Sequence, residues 1–233
     1  MTLSAPPFDA VLFDCDGVLV DSEPITNRVL CTMLNELGWP ISFEDTIRTF
    51  TGKMVRDEAE RIHAHTGYAI TSEWLAGFRE RRNAALETEL VAVDGAVEAV
   101  RAVQNDFANR IAVASGADRA KIVLQLDKVG LADCFAERLF SGHEMARSKP
   151  FPDVYLAAAA ALGVPAERCA VVEDSVTGAA AGVAAGATVF GYSPGGLGHS
   201  SPATLRQVGV AHVFADMREL PELLRNWSGS IVG

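Results

Sequence analysis

The sequence predicts an α/β protein: a Rossmann-like parallel sheet with helices on both faces, plus an inserted helical cap domain. Three observations lead there. Short, nearly continuous apolar runs alternate with helical patterns, as strands buried on both faces require. Each run ends in a polar or small residue before the next helix. Between residues 21 and 93 the strand signal vanishes while helical periodicity continues.

The runs are Ala10-Val11-Leu12-Phe13, ending at Asp14, then Ile111-Ala112-Val113-Ala114, ending at Ser115. Arg138-Leu139-Phe140 leads to Ser141, and Cys169-Ala170-Val171-Val172 to Glu173-Asp174; Thr188-Val189-Phe190 and His212-Val213-Phe214 complete the set. Between them, Asp94 suits the N-cap of a helix through Val97, Val100 and Val103. Ile122, Leu126 and Val129 recur at helical spacing and Gly130 can close that helix. Pro152 suits a first helical turn, and the Ala-rich stretch from Val154 to Leu162 stops at Gly163. Gly178 to Gly186 reads as a helix packed close against the sheet.

The strandless region predicts three helices. Val29, Met33 and Leu37 form one stripe, closed by Gly38 and Pro40. A second helix is expected from Val55 to His65 and a third from Ser72 to Glu89. A crossover between parallel strands needs only one helix, so this stretch of ~70 residues reads as an insert. The expected division is a catalytic core over residues 1–20 and 94–233 and a cap over 21–93.

Of 233 residues, 49% are hydrophobic and 21% charged, the composition of an ordinary globular protein. The net charge of −10 argues against nucleic acid or an anionic membrane as partner, since both need a basic patch. The expected partner is a small molecule, and the expected state a monomer or weak homodimer. Met1 to Phe8 has no basic region and no long apolar stretch, unlike a secretory signal, and no apolar run reaches the ~20 residues of a membrane span. A cytoplasmic location follows as the expectation. Cys15, Cys31, Cys134 and Cys169 stand singly, without the spacing of a zinc site, and read as reduced thiols.

In a sheet of this kind ligands sit beyond the carboxyl ends of the strands. This sequence places Asp14 and Asp16 there after the first strand, Ser115 after the second, and Glu173 with Asp174 after the fourth; Lys149 lies on a neighbouring loop. Carboxylates converging to ~4 Å repel by roughly 1 to 4 kcal/mol per pair, so a cation is implied. All-oxygen ligands with room for water and phosphate oxygens favour Mg²⁺.

Phe13-Asp14-Cys15-Asp16-Gly17-Val18-Leu19-Val20-Asp21-Ser22 resembles the first motif of the haloacid dehalogenase superfamily. Ala114-Ser115-Gly116, Ser148-Lys149-Pro150 and Val172-Glu173-Asp174-Ser175 resemble the second, third and fourth, in order. The insert after the first motif is similar to the α-helical cap of the subfamily holding phosphoglycolate, 6-phosphogluconate and other sugar-phosphate phosphatases and β-phosphoglucomutase. The resemblance implies Asp14 as nucleophile and Asp16 as general acid, then base. It implies Asp14, the Asp16 carbonyl, Glu173 and Asp174 as Mg²⁺ ligands, Ser115 and Gly116 as phosphate holders, and Lys149 as the balancing charge. Dehalogenases of the superfamily lack the second Asp, so Asp16 favours phosphoryl transfer from an alcohol oxygen. The implied activity is hydrolysis of a small phosphate ester, a sugar or sugar-acid phosphate, through an aspartyl-phosphate. The alternative is a phosphomutase; there β-phosphoglucomutases carry a His where this chain has Thr26.

Specificity is expected from the cap. Lys53 and Arg56 sit at a loop and helix start, and Arg79, Arg81 and Arg82 cluster on the third helix. Lys53, Arg56 and Arg82 are the candidates for a second anionic group of the substrate, against the plain alternative of a solvated helix face. Gly191-Tyr192-Ser193-Pro194-Gly195 fits the serine-hydrolase elbow by pattern alone. Pro194 has no N–H for an oxyanion hole, and no acid lies between Ser193 and His212, so that reading fails.

Overall fold

The computed structural model describes residues 7–196 and 198–229. Six strands, β1 (Ala10–Phe13), β2 (Ile111–Ser115), β3 (Leu139–Ser141), β4 (Cys169–Glu173), β5 (Thr188–Tyr192) and β6 (His212–Phe214), form one sheet in the order β3-β2-β1-β4-β5-β6. Every neighbouring pair is parallel. The order reverses at β1, which lies between β2 and β4, so the ligand crevice of the sheet opens at the end of β1.

The helices are α1 (Glu23–Glu36), α2 (Phe43–Phe50), α3 (Ala59–Thr66), α4 (Ser72–Glu89), α5 (Ala96–Asp106), α6 (Arg119–Lys128), α7 (Ala132–Phe135), α8 (Asp153–Ala161), α9 (Val176–Ala184), α10 (Pro202–Gln207) and α11 (Leu220–Arg225). Alternate strand residues face opposite sides of the sheet. Val11, Phe13, Val113 and Val172 pack with Val100 and Val103 of α5, Ile122 and Leu126 of α6, and Leu220 and Leu224 of α11. Leu12, Ala112, Val171 and Val189 pack with Tyr155 and Ala158 of α8, Ala179 of α9 and Leu205 of α10. Small residues on this second face let its helices approach closely: a Cβ on Gly182 would stand 2.8 Å from the Val189 side chain.

The insert has an apolar core of its own, formed by Leu30, Met33, Leu34, Ile41, Phe50, Ile62 and Phe78. It is reached through two chain segments that lie side by side. Val20 and Ala92 form an antiparallel bridge, Asp21 N–H donates to the Val91 carbonyl (3.1 Å) and Val93 N–H to that of Leu19 (3.0 Å).

Three local expectations change. The insert contains a further helix, α2, whose N-cap Ser42 accepts a hydrogen bond from Asp45 N–H. The helix expected from Val55 opens instead as a 3₁₀ turn, Val55–Glu58, and becomes α-helical at Ala59. Asp94 does not cap α5: Gly95 holds that place with φ +77°, and Asp94 pairs with Arg218 at 2.6 Å. Among the described residues no helix is long and apolar enough to cross a membrane, and all four cysteines are free thiols.

Candidate active site

Asp14 continues β1, its N–H donating to the Val172 carbonyl of β4 at 3.0 Å. The chain then turns sharply: Leu19 N–H donates to the Cys15 carbonyl and Gly17 N–H to that of Val20. Gly17 has φ +77°, and a Cβ there would come within 2.2 Å of Asp174 Oδ2. Glycine is what lets the first and fourth motifs touch.

Asp14, Glu173 and Asp174 each bring an oxygen to within 4.8 Å of the others, and all three are buried. Lys149 Nζ donates to Asp14 Oδ1 (2.9 Å), Glu173 Oε1 (2.7 Å) and Tyr155 Oη (3.0 Å). Burial alone would lower the Lys149 ammonium, but Asp14 and Glu173 hold it well above its usual value. Burial pushes the carboxyls of Asp14 and Asp174 well up; Lys149 opposes this and the neighbouring acids add to it. That surplus of negative charge, presented by oxygens alone, fits a hard divalent cation.

Glu173 occupies a special place in the cluster. Its Oε1 accepts from Lys149 and from Tyr155 Oη (2.7 Å). Its Oε2 accepts from Asp174 N–H (3.1 Å), Ser175 N–H (3.2 Å) and Ser175 Oγ (3.0 Å). Five donors on one carboxylate fix it firmly. Gly178 makes room for it, since a Cβ there would fall 1.6 Å from Glu173 Oε1.

Asp16 is held differently. Its Oδ1 accepts from Lys121 Nζ (2.7 Å), Gln125 Nε2 (2.7 Å) and Ser22 Oγ. Burial would raise this carboxyl, yet the Lys121 ammonium and the hydrogen bonds bring it down to about 2. Gly116 lines the adjoining cavity, while Ser115 is wholly buried and its Oγ accepts from Ala117 N–H at 3.1 Å. The helix that follows starts at Arg119, capped by Asp118.

A cavity of about 370 Å³ lies between core and insert. Its floor holds Asp14, Asp16, Gly116, Lys121 and Lys149; its insert wall holds Lys53, Arg56, Arg79 and Arg82. The three arginines of α4 part company. Arg81 points away to Glu36 (2.8 Å), Arg82 is buried against Asp118 (2.9 Å), and Arg79 lines the cavity. Lys121, Gln125, Tyr155 and His199, whose Nδ1 lies 3.2 Å from Asp174 Oδ2, were not legible as site residues. They sit inside helices or in a late loop, where their types carry no motif; only the fold brings them to the acids.

Residues 8–186 match the haloacid dehalogenase-like hydrolase family. The chain is 32% identical over 222 residues to a 6-phosphogluconate phosphatase of Escherichia coli K12, covering 94% of this chain and 96% of the relative. It is 31% identical to a plasmid-borne phosphoglycolate phosphatase of Cupriavidus necator, covering 94% of each. A HAD family hydrolase from Deinococcus radiodurans R1, solved with bound phosphate and sodium, superposes with a TM-score of 0.74 at 37% identity, covering 93% of this chain and 94% of that one. With four motifs converging at the ends of β1, β2 and β4, and with these relatives, the chain belongs to the haloacid dehalogenase-like hydrolase family, among its phosphatases.

Proposed function

We propose that this enzyme is a Mg²⁺-dependent phosphatase acting on a small phosphorylated metabolite, a sugar or sugar-acid phosphate, through an aspartyl-phosphate on Asp14. The observation that carries the reading is Asp14 itself: a buried carboxylate at the crevice of the sheet, 2.9 Å from a buried lysine and two residues before a second acid. Its relatives' names support phosphate esters as the substrate class.

Asp14 attacks phosphorus, and the alkoxide leaves with a proton from Asp16. At rest Asp16 is ionised, its oxygen held by Lys121, Gln125 and Ser22. A phosphate dianion arriving beside it favours proton uptake, which readies the acid only when substrate is present. In the second half-reaction the ionised Asp16 takes a proton from water attacking the phosphoaspartate. Lys149, fixed by Glu173 and Tyr155, offsets charge on the transferring group. Asp14, the Asp16 carbonyl and Asp174 would hold Mg²⁺, with Glu173 adding charge while its oxygens serve the five donors. When bound there, Mg²⁺ would supply charge neutralisation as the carboxylate approaches the phosphoryl group. Ser115 and Gly116 would bind phosphate oxygens.

Thr26 stands where a mutase of this type carries histidine, which favours hydrolysis over isomerisation. The formal net charge of −10 supports the absence of nucleic-acid or anionic-membrane partners, and the expected setting is a cytoplasmic monomer or weak homodimer. The test is phosphate release across a panel of sugar, sugar-acid and glycolate phosphates, with Mg²⁺ and with EDTA. Release is expected to need the metal and to vanish in a folded Asp14→Asn. Release that survives Asp14→Asn would overturn the nucleophile, and an isomerised sugar phosphate without release would select the mutase.

A further inference from the structure

Among the described residues, every cation facing the cavity has an acid beside it except one. Lys53 pairs with Glu58 (3.3 Å), Arg56 with Asp57 (3.5 Å) and Arg82 with Asp118 (2.9 Å). On the floor, Lys121 pairs with Asp16 (2.7 Å) and Lys149 with Asp14 (2.9 Å) and Glu173 (2.7 Å). Arg79, half-buried on α4, lines the same cavity and makes no ion pair or hydrogen bond among the described residues. Among the described residues, the cavity acid without an ion pair is Glu23, which lies near Asp16 and is engaged by Asn27 Nδ2 at 2.8 Å.

His143 stands beside the arginines in the wall, its imidazole held below its usual value by burial and then by Arg56. It is therefore neutral at pH 7 and adds no second charge to receive an anion.

We propose that Arg79 selects the substrate's end group: the cavity takes the phosphate ester of a monocarboxylic acid, whose carboxylate Arg79 receives. This rests on the phosphatase reading and narrows its substrate class. The charge balance selects the carboxylate. One uncompensated guanidinium matches one negative charge, and its fork of donors fits a planar carboxylate. A second phosphate, with a charge of about −1.5 to −2, would leave charge unmatched in the cavity. A neutral end group would leave Arg79 half-buried without an anion.

The experiment compares kcat/KM for three esters: a six-carbon aldonic acid 6-phosphate, the matching alditol 6-phosphate, and a hexose 1,6-bisphosphate. Wild type is expected to prefer the acid to both. In Arg79→Gln the acid-to-alditol ratio of kcat/KM is expected to fall about 10- to 100-fold, chiefly through KM, with partial recovery in Arg79→Lys. An unchanged ratio in folded Arg79→Gln, or a wild-type preference for the bisphosphate, overturns the assignment. Failure of the phosphatase reading looks different: none of the esters releases phosphate. Calorimetric titration with the acid ester then decides the site alone, weaker binding to Arg79→Gln supporting it and equal binding overturning it.

Discussion

Asp174, a proposed Mg²⁺ ligand, leans on a residue that carries no motif. Its Oδ2 lies 3.2 Å from His199 Nδ1, on a loop whose Ser200 N–H donates to the Asp174 carbonyl and whose Ser200 Oγ accepts from Val176 N–H. Partners behind a ligating carboxylate typically matter 10- to 100-fold in metal affinity. His199→Ala is expected to weaken Mg²⁺ binding by about that factor, read by titration calorimetry on protein freed of metal. Unchanged affinity in the variant would count against the role. His143 gives a pH prediction. Burial, then Arg56, lowers its folded value, so the folded state prefers the neutral ring. The unfolded ring takes its proton near pH 6.5, so stability is lost as pH falls through about 6.5 and is unaffected above it. In His143→Asn the acid side of the Tm–pH curve between about pH 5 and 6.5 is expected to flatten; an identical curve would contradict the assignment. The chemistry at this scale divides cleanly. Asp14, Asp16, Lys149, Glu173 and Asp174 were legible because each sits at a strand end or loop within a motif. Among the arginines of α4 the sequence singled out Arg82, which pairs with Asp118, and passed over Arg79, which lines the cavity, because helical spacing alone does not say which side a neighbouring domain covers.

At the scale of elements, close approach decides which glycines matter. Gly178 lies in the first turn of α9, where a Cβ would fall 1.6 Å from the Glu173 carboxylate. Gly178→Ala is expected to cost about 3 kcal/mol or more, because a buried, five-donor carboxylate must move. Gly77, in the interior of α4, has nothing within 4 Å of the same position. Gly77→Ala is expected to stabilise by about 0.5–1 kcal/mol by restricting the unfolded chain. Urea unfolding of the two variants checks both signs at once. All six strands were readable from their apolar runs, and α4 from its period. Helix α2 was not, being only eight residues long. Its signals, Ser42 three before Asp45 and the Thr46, Ile47, Phe50 spacing, are visible once the cap is known to bury that face. The cap of α5 was misread because an acid before a helix looks like an N-cap whether or not a distant Arg218 takes it.

At the scale of the whole molecule, a cavity closed on one side by the core and on the other by the insert implies that the two part to admit substrate. The hinge is expected near residues 20–24 and 91–95. Ser22, at that expected hinge, donates to Asp16, the proposed general acid, so parting the halves is expected to disturb it. Small-angle scattering with a phosphate mimic and Mg²⁺ is expected to give a smaller radius of gyration than the free protein; equal radii would count against closure. The division into core and cap is an expectation from strand and helix signals alone, and how the two face each other was not readable, since it rests on contacts such as Arg82 with Asp118, 36 positions apart.

The pairing of Val20 with Ala92 has a consequence for how such a chain changes over time. Because the insert's two ends emerge as neighbours, the sheet sees the whole insert as one long hairpin loop. Its length and content can then be exchanged without moving β1 or β2. The acid cluster and the proposed Arg79 subsite sit on opposite sides of that neck, so one can be inherited intact while the other is rewritten.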